Sequence, residues 1–398
     1  VALNDATKAR DGGTMTDEAQ ANDAKPLAGL RVLELARILA GPWCGQLLAD
    51  LGAEVVKVER PAVGDDTRTW GPPFVTDAAG DPWSAAYFHC CNRGKTSLAL
   101  DFETPAGRDA VRALAATSDV VIENFKVGGL VRHGLDYASL SALNPRLVYC
   151  SISGFGQTGP YAERAGYDYI IQGLAGLMDI TGEPDGEPQK VGVAVIDLFT
   201  GVYAATAILA ALRRRDTTGK GGHVDMALLD VAVAILANQA MNYLVSGRAP
   251  SRLGNAHPNI APYQVFSVAD GRIIIAVGND RQFRALCGVL GLPALADAPS
   301  FASNADRVAN RAALVAALAP VLAGHRRADL SAALDAAGVP VGPINSIADV
   351  FADPQVIHRG LARDLVADDG SRVPTVASPI VLDGVRQIAN RASPKLGG

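Results

Sequence analysis

From residue 30 onward, short β-rich runs alternate with segments of helical period. Residues 30–36 (LRVLELA), 53–59 (AEVVKVE), 95–101 (KTSLALD), 119–124 (DVVIEN) and 146–153 (RLVYCSIS) have the length and β-branched content of buried strands. Between them, residues 42–52 (PWCGQLLADLG) and 103–118 (ETPAGRDAVRALAATS) predict helices, the first closed by Gly52. Strands alternating with helices build parallel βαβ units, so residues 27 to about 215 are expected to form an α/β, doubly wound sheet. Residues 224–247 then predict one long apolar helix. Residues 262–278 predict two strands around Ala269-Asp270-Gly271, and the Ala-rich residues 311–323 and 328–337 predict further helices. This block reads as a smaller second domain, with Pro340, Gly342 and Pro343 marking a linker after it.

Residues 193–212 (VAVIDLFTGVYAATAILAAL) approach membrane length but carry Asp197. A charged residue in an apolar span costs about 2.5–3.5 kcal/mol in lipid, so a buried helix of a soluble protein is the expectation. Residues 1–26 are polar, with no apolar stretch after the early charges. They read as a disordered leader rather than a signal peptide, and Met15 is a candidate start. The 398 residues, 49% of them hydrophobic, are enough for two or three domains. With 36 Lys+Arg against 41 Asp+Glu and a net charge of −5, neither nucleic acid nor a membrane surface is an expected partner. Cys44, Cys90, Cys91, Cys150 and Cys287 are too scattered for a disulfide framework or a metal site, which fits a cytoplasmic protein.

The stretch from Gly154 through Gly156 to Gly159 is a formal GxGxxG after a predicted strand. Pro160 follows it and no apolar helix opens there, so a flexible glycine loop is favoured over a dinucleotide site. Asp197 has two readings: the N-cap of the helix that ends near Arg213, Arg214 and Arg215, or an ionised carboxylate nucleophile. Tyr167, Asp168 and Tyr169 with Gln172 read as loop hydrogen-bonding groups or as a site cluster. Arg37, Lys57, Arg60, Arg93, Lys95, Lys126 and Arg132 each read singly as solvated surface. Several fall at predicted carboxyl ends of strands, where doubly wound sheets bind ligands, and this points to a phosphate-bearing ligand. The six histidines show no metal or triad spacing, and no GxSxG or Walker motif occurs.

The blocks LAGLRVLELARILAGPWCGQLLADLGAEVVKVERPAVGDDTR, NRGKTSLALD, DVVIENFKVGGLVRHGL, NPRLVYCSISGFGQTGP, GYDYIIQ and VGVAVIDLFTG occur in that order. Together with TGKGGHVDMALLD and GVPVGPINSIADVFADPQ, they resemble the class III coenzyme A transferases from about Pro26 to about Leu361. The resemblance implies a Rossmann-like, doubly wound large domain (27–225), a linker helix and smaller α+β domain (226–338), and a return segment (339–398). It also implies an interlocked homodimer. It places the nucleophile on Asp197, within the V-x-x-x-D-x-x-x-G stretch from Val193 to Gly201. Coenzyme A contacts fall on Ile38, Arg60, Leu100, Asn124, Phe125 and Arg132.

The implied reaction moves coenzyme A between an acyl-CoA and a small carboxylic acid, with CoA as substrate and with neither a tightly bound cofactor nor a metal. The racemases of the same superfamily carry His where this chain has Tyr167. A Tyr of pKa near ~10 is a poor base at neutral pH, so transfer is favoured over racemisation. Leu39 replaces a family Gln beside the acyl group, and the family's glycine-rich loop gives way to residues 254–259. Arg37, Leu39, Tyr167, His257 and Asn259 are therefore the candidates for contacting a larger acid, such as a dicarboxylate. A 2-methylacyl-CoA racemase and a non-catalytic CoA-binding protein are the alternatives.

Overall fold

The computed structural model describes residues 25–398, so all but the end of the leader read over residues 1–26 lies outside the described residues. The chain divides into two compact units. Of the described residues, the first comprises 25–171, Ala194–Ala232 and Ile357–Gly398; the second comprises Gln172–Val193 and Val233–Val356.

The first unit is built on β1 (Arg31–Glu34), α1 (Ala40–Asp50), β2 (Glu54–Glu59), β3 (Lys95–Ala99), α2 (Pro105–Ala116) and β4 (Val120–Glu123). It continues through α3 (Tyr137–Leu143), β5 (Val148–Ser153), the start of α4 (Asp168–Leu174), α5 (Val195–Thr218) and β6 (Gly222–Ala227). All five strand pairings are parallel, and the order is β3-β2-β1-β4-β5-β6. This is the doubly wound arrangement expected from the βαβ pattern. Its connections reverse direction between β1 and β4, which opens a crevice beyond their carboxyl ends. Helix α2 starts where Thr104 accepts a hydrogen bond from Gly107 N–H (3.1 Å), with Pro105 in its first turn.

The two faces of the sheet differ. Leu33, Val58, Val121 and Tyr149 pack with Val111 of α2 and Leu140 of α3 into an apolar layer. The opposite face carries Glu34, Lys57 and Lys95, which are 0%, 1% and 0% exposed. Glu34 lies against α1, whose Gly45 leaves no room for a Cβ beside its carboxylate. Lys57 Nζ reaches Glu34 Oε1 (3.0 Å) and Asp65 Oδ2 (3.0 Å) and donates to Ala36 O (2.7 Å). Lys95 Nζ reaches Glu34 Oε2 (2.8 Å) and donates to Pro42 O (2.8 Å) and Asn92 Oδ1 (2.8 Å). Arg93 is likewise buried, with Nε donating to Asp50 Oδ1 (2.8 Å). Three members of the basic set read as solvated surface are thus interior, because strand alternation and the turn before β3 aim them at buried carboxylates.

In the second unit β7 (Tyr263–Val268) and β8 (Gly271–Ala276) form the expected hairpin. Phe266, Ile273 and Ile275 pack on Phe283, Leu314, Leu318 and Leu330 of the helices that follow. Two local expectations are corrected. Residues 224–247 are not one helix: residues 224–227 belong to β6, and the remainder is two helices, Leu228–Ala234 and Ala237–Ser246. These are parted where Ala237 takes φ +45°. The Pro340–Pro343 region is not a linker but a third strand, Val341–Pro343, antiparallel to β8. Proline is accepted there because the strand lies at the sheet edge.

Among the described residues, α5 alone is long and apolar enough by itself to cross a membrane by length and composition. Of its most apolar stretch 44% is buried, with Ile196, Ala204, Ile208 and Leu212 inside. At Gly201 a Cβ would meet Ala40 O (2.8 Å) and Trp43, so the missing side chain sets how closely α5 approaches α1.

Breaking a buried ion pair by removing one partner costs about 3–5 kcal/mol, whereas an exposed pair is worth less than about 1. Lys95→Met is therefore expected to lower the urea unfolding free energy by about 3–5 kcal/mol. Arg372→Met, which removes an exposed pair with Asp364, should change it by less than about 1 kcal/mol.

Candidate active site

The crevice at the β1/β4 switch point is shaped by residues 36–42, held from below through the carbonyls of Ala36 and Pro42. Across it, the Asn124 side chain at the end of β4 accepts from Arg37 N–H (2.9 Å) and donates to Arg37 O (2.7 Å). Ile38 has φ +72°, a conformation that a β-branched residue reaches only at a cost of about 1–3 kcal/mol. The buried Asp65 carboxylate accepts from Ile38 N–H at 3.3 Å, and Asp65 is itself held by Lys57. Burial works against the Asp65 charge, but Lys57 and the hydrogen bonds of Thr67 outweigh it and hold the carboxyl below its usual range.

A cavity of about 500 Å³ opens above this segment. Arg37, Ile38, Leu39, Asn124, Phe125, Arg132, Tyr167 and Asp197 all line it. Arg60 and Leu100 line an adjoining cavity of about 190 Å³, whose walls at Arg37, Phe102 and Phe125 are common to both. His257 and Asn259 belong to the second unit, where Asn259 N–H donates to His257 Nδ1 (3.0 Å). Arg37 and Arg60 share Asp66 (2.8 and 2.9 Å), and Arg132 pairs with Glu103 (2.9 Å). The Arg60 and Arg132 side chains are 54% and 72% exposed, so these pairs are weak and readily exchanged for an incoming anion.

Asp197 sits in the first turn of α5, but it is not the N-cap: Ala194 occupies that position. Asp168 supplies the cap from outside the helix, its Oδ2 accepting from the N–H groups of Ile196 (2.7 Å) and Asp197 (3.1 Å). Two of the N–H groups at the start of α5 are therefore already occupied. Burial, aided by the negative charge of Asp168, pushes the Asp197 carboxyl up to about 7. An ionised group despite apolar neighbours was the expectation; Asp197 is instead balanced between its two forms near neutrality. Tyr87 lies close enough that, after burial, the Asp197 charge is the next cause raising its phenol.

The GxGxxG stretch is a loop with no helix behind it, as expected. Gly154 and Gly166 pack backbone to backbone at its two ends. Asp65, Asp66, Tyr87 and Glu103 carry no individual signal in the sequence. Among the described residues no three His, Cys, Asp or Glu side chains are grouped to hold a metal ion.

Replacing a side-chain cap by Ala costs about 0.5–2 kcal/mol. Asp168→Ala is therefore expected to speed hydrogen exchange at the Ile196 and Asp197 amides by about tenfold, while Asp168→Asn, which keeps an oxygen acceptor, leaves it nearly unchanged.

Comparison with known proteins identifies the family of the chain. The succinate–glutarate CoA-transferase of Agrobacterium fabrum is 58% identical over 383 residues, covering 96% of this chain and 95% of the relative. The succinyl-CoA:glutarate CoA-transferase of Mus musculus is 45% identical over 348 residues, 87% of this chain and 78% of the relative. A crystal structure of a CaiB/BaiF family protein from Brucella suis, 60% identical, superposes with a TM-score of 0.82 and covers 94% of this chain and 97% of that one. The model of CoA-transferase family III matches residues 27–398, and the chain belongs to that family of enzymes.

Proposed function

We propose that the protein transfers coenzyme A from an acyl-CoA to a dicarboxylic acid of the succinate and glutarate type, with Asp197 as the covalent nucleophile. The observation that carries this reading is the position of Asp197. Its carboxyl opens into the cavity at the switch point and titrates near neutrality, so it is available as an anion. The relatives described above act on succinate and glutarate.

The Asp197 carboxylate attacks the thioester carbonyl, the C–S bond breaks, and CoA thiolate leaves behind an acyl-aspartyl anhydride. The thiolate then attacks the aspartyl carbonyl, which frees the donor acid and leaves an Asp197–CoA thioester. The acceptor carboxylate repeats these steps in reverse. Thioester bonds are exchanged one for one, so no ATP is consumed, and water must be kept from the anhydride. In this reading Arg60 and Arg132 release Asp66 and Glu103 to take CoA phosphate oxygens, while Ile38, Leu100, Asn124 and Phe125 line the path of the carrier. Leu39 and Tyr167, on the wall of the same cavity, face the acyl end.

The homodimer belongs to the same proposal. On the helix Ala237–Ser246, Leu244 and Val245 are 71% and 81% exposed, apolar surface suited to burial by a second copy. Light scattering is expected to return twice the 41.2 kDa chain mass, and a mass of one chain contradicts it.

Asp197→Ala is expected to abolish transfer while CoA still binds. The folded carboxyl titrates above its unfolded value of ~3.9, so Asp197 makes the fold lose stability as pH rises from ~4 to about 7. The Ala variant should therefore be at least as stable as wild type at pH 8. In wild type, kcat/KM should climb with pH to a plateau above about pH 7. Asp168→Asn, which removes the neighbouring charge, should move that rise to lower pH.

A further inference from the structure

Five cationic or potentially cationic side chains line the cavity that holds Asp197: Arg37, Lys126, Arg132, His133 and Arg164. Arg37 is engaged by Asp66, and Arg132 by Glu103 and, through Nε, by His133 (2.8 Å). Arg164 has no carboxylate within ion-pair distance among the described residues. Its guanidinium lies over an edge-to-face pair of rings, 4.5 Å from the Tyr161 centroid and 5.3 Å from that of Phe155. Cation–π contact of this kind orients the planar group without consuming its N–H donors, so the fork remains available for a ligand.

The loop that carries Arg164 is itself held in place. Gly156 N–H donates to Ser153 Oγ (2.9 Å), Gln157 N–H to Asp225 Oδ2 (3.0 Å), and Arg164 N–H to Tyr161 O (2.9 Å). The close Gly154–Gly166 packing joins the two ends of the loop, and Tyr167 follows directly on the cavity wall. Lys126 is the other cation without a carboxylate partner among the described residues. It follows Phe125 at the end of β4, beside the Asn124–Phe125 contacts proposed for the carrier, whereas Arg164 stands on the loop that leads into Asp168, the residue that caps the Asp197 helix.

A dicarboxylic acid brings a second negative charge into a cavity that already contains Asp197, with Asp168 behind it. Without a cation to meet it, that charge is both desolvated and repelled. We propose that Arg164 is the specificity-determining residue that binds the second carboxylate of the acid being activated, through a two-donor hydrogen-bonded pair. This rests on the reading that the enzyme passes CoA to dicarboxylic acids.

The test compares acceptors matched in chain length, glutarate against valerate and succinate against butyrate, in wild type, Arg164→Gln and Arg164→Lys, with CoA affinity measured by calorimetry. Losing a charge-assisted pair worth about 1.5–3 kcal/mol should lower the dicarboxylate-to-monocarboxylate ratio of kcat/KM about 10–100-fold in Arg164→Gln. The loss should appear in KM for the acid, be partly recovered in Arg164→Lys, and leave the dissociation constant of CoA within about twofold. An unchanged ratio overturns the assignment. So does an equal loss for both kinds of acid accompanied by weaker CoA binding, which would make Arg164 a contact to the carrier's phosphates. If wild type passes CoA to none of the four acids, the underlying reading fails as well, a result separate from either outcome in the variants.

Discussion

Four buried charges support the site. Glu34 and Asp65 face Lys57 and Lys95 beneath the segment that leads from β1 into α1, and the two ammonium groups also take the carbonyls of Ala36 and Pro42. Burying such groups is expensive, and their mutual attraction offsets the cost only when the geometry is well satisfied. For Lys57, burial opposes the charge, yet Asp65 and Glu34 hold its pKa above the ordinary lysine value; for Lys95 burial prevails and lowers it. What the arrangement secures is position. It fixes both ends of a seven-residue arch whose middle carries Arg37, Ile38 and Leu39, and it sustains the unfavourable backbone of Ile38 through Asp65. An apolar core would not supply donors to those carbonyls.

Above the arch, two carboxylates divide the work at the start of α5. Asp168 satisfies helix N–H groups, so the end of the helix is capped without using Asp197. Asp197 is left half-buried beside a like charge, and both effects lift its pKa toward neutrality. Pairs of titratable groups whose surroundings assign them different roles are a recurrent feature of sites that do chemistry near pH 7. The neighbouring arginines complement this. Those that meet the proposed carrier phosphates are parked on Asp66 and Glu103, while Arg164 is parked on aromatic rings.

Much of the first unit was legible because parallel strands buried on both faces are nearly continuous apolar runs, and because the βαβ alternation leaves few topologies open. Asp197 stands out as the one charge within the apolar run of residues 193–212. Asp168 reads from the sequence as a loop hydrogen-bonding group or part of a site cluster, but its capping role has no local signal, since it meets Asp197 only after the chain has travelled 29 positions. Lys57 and Lys95 were misread for a related reason. A lysine within a strand looks solvated until the facing strand is seen to place Glu34 beside it. The helix expected over residues 224–247 contains neither Gly nor Pro before its last residue, so its break at Ala237 had no local signal. Pro340 and Pro343 invited a linker, whereas the edge of a sheet tolerates them.

The most direct test of covalent catalysis is the mass of the peptide that contains Asp197 after the enzyme has been incubated with succinyl-CoA in the absence of an acceptor acid and quenched in acid. The account predicts that this peptide gains the mass of a CoA thioester and loses it on treatment with hydroxylamine. Full transfer activity in a protein whose Asp197 peptide never carries CoA or an acyl group, or an adduct found on a different side chain, would contradict it.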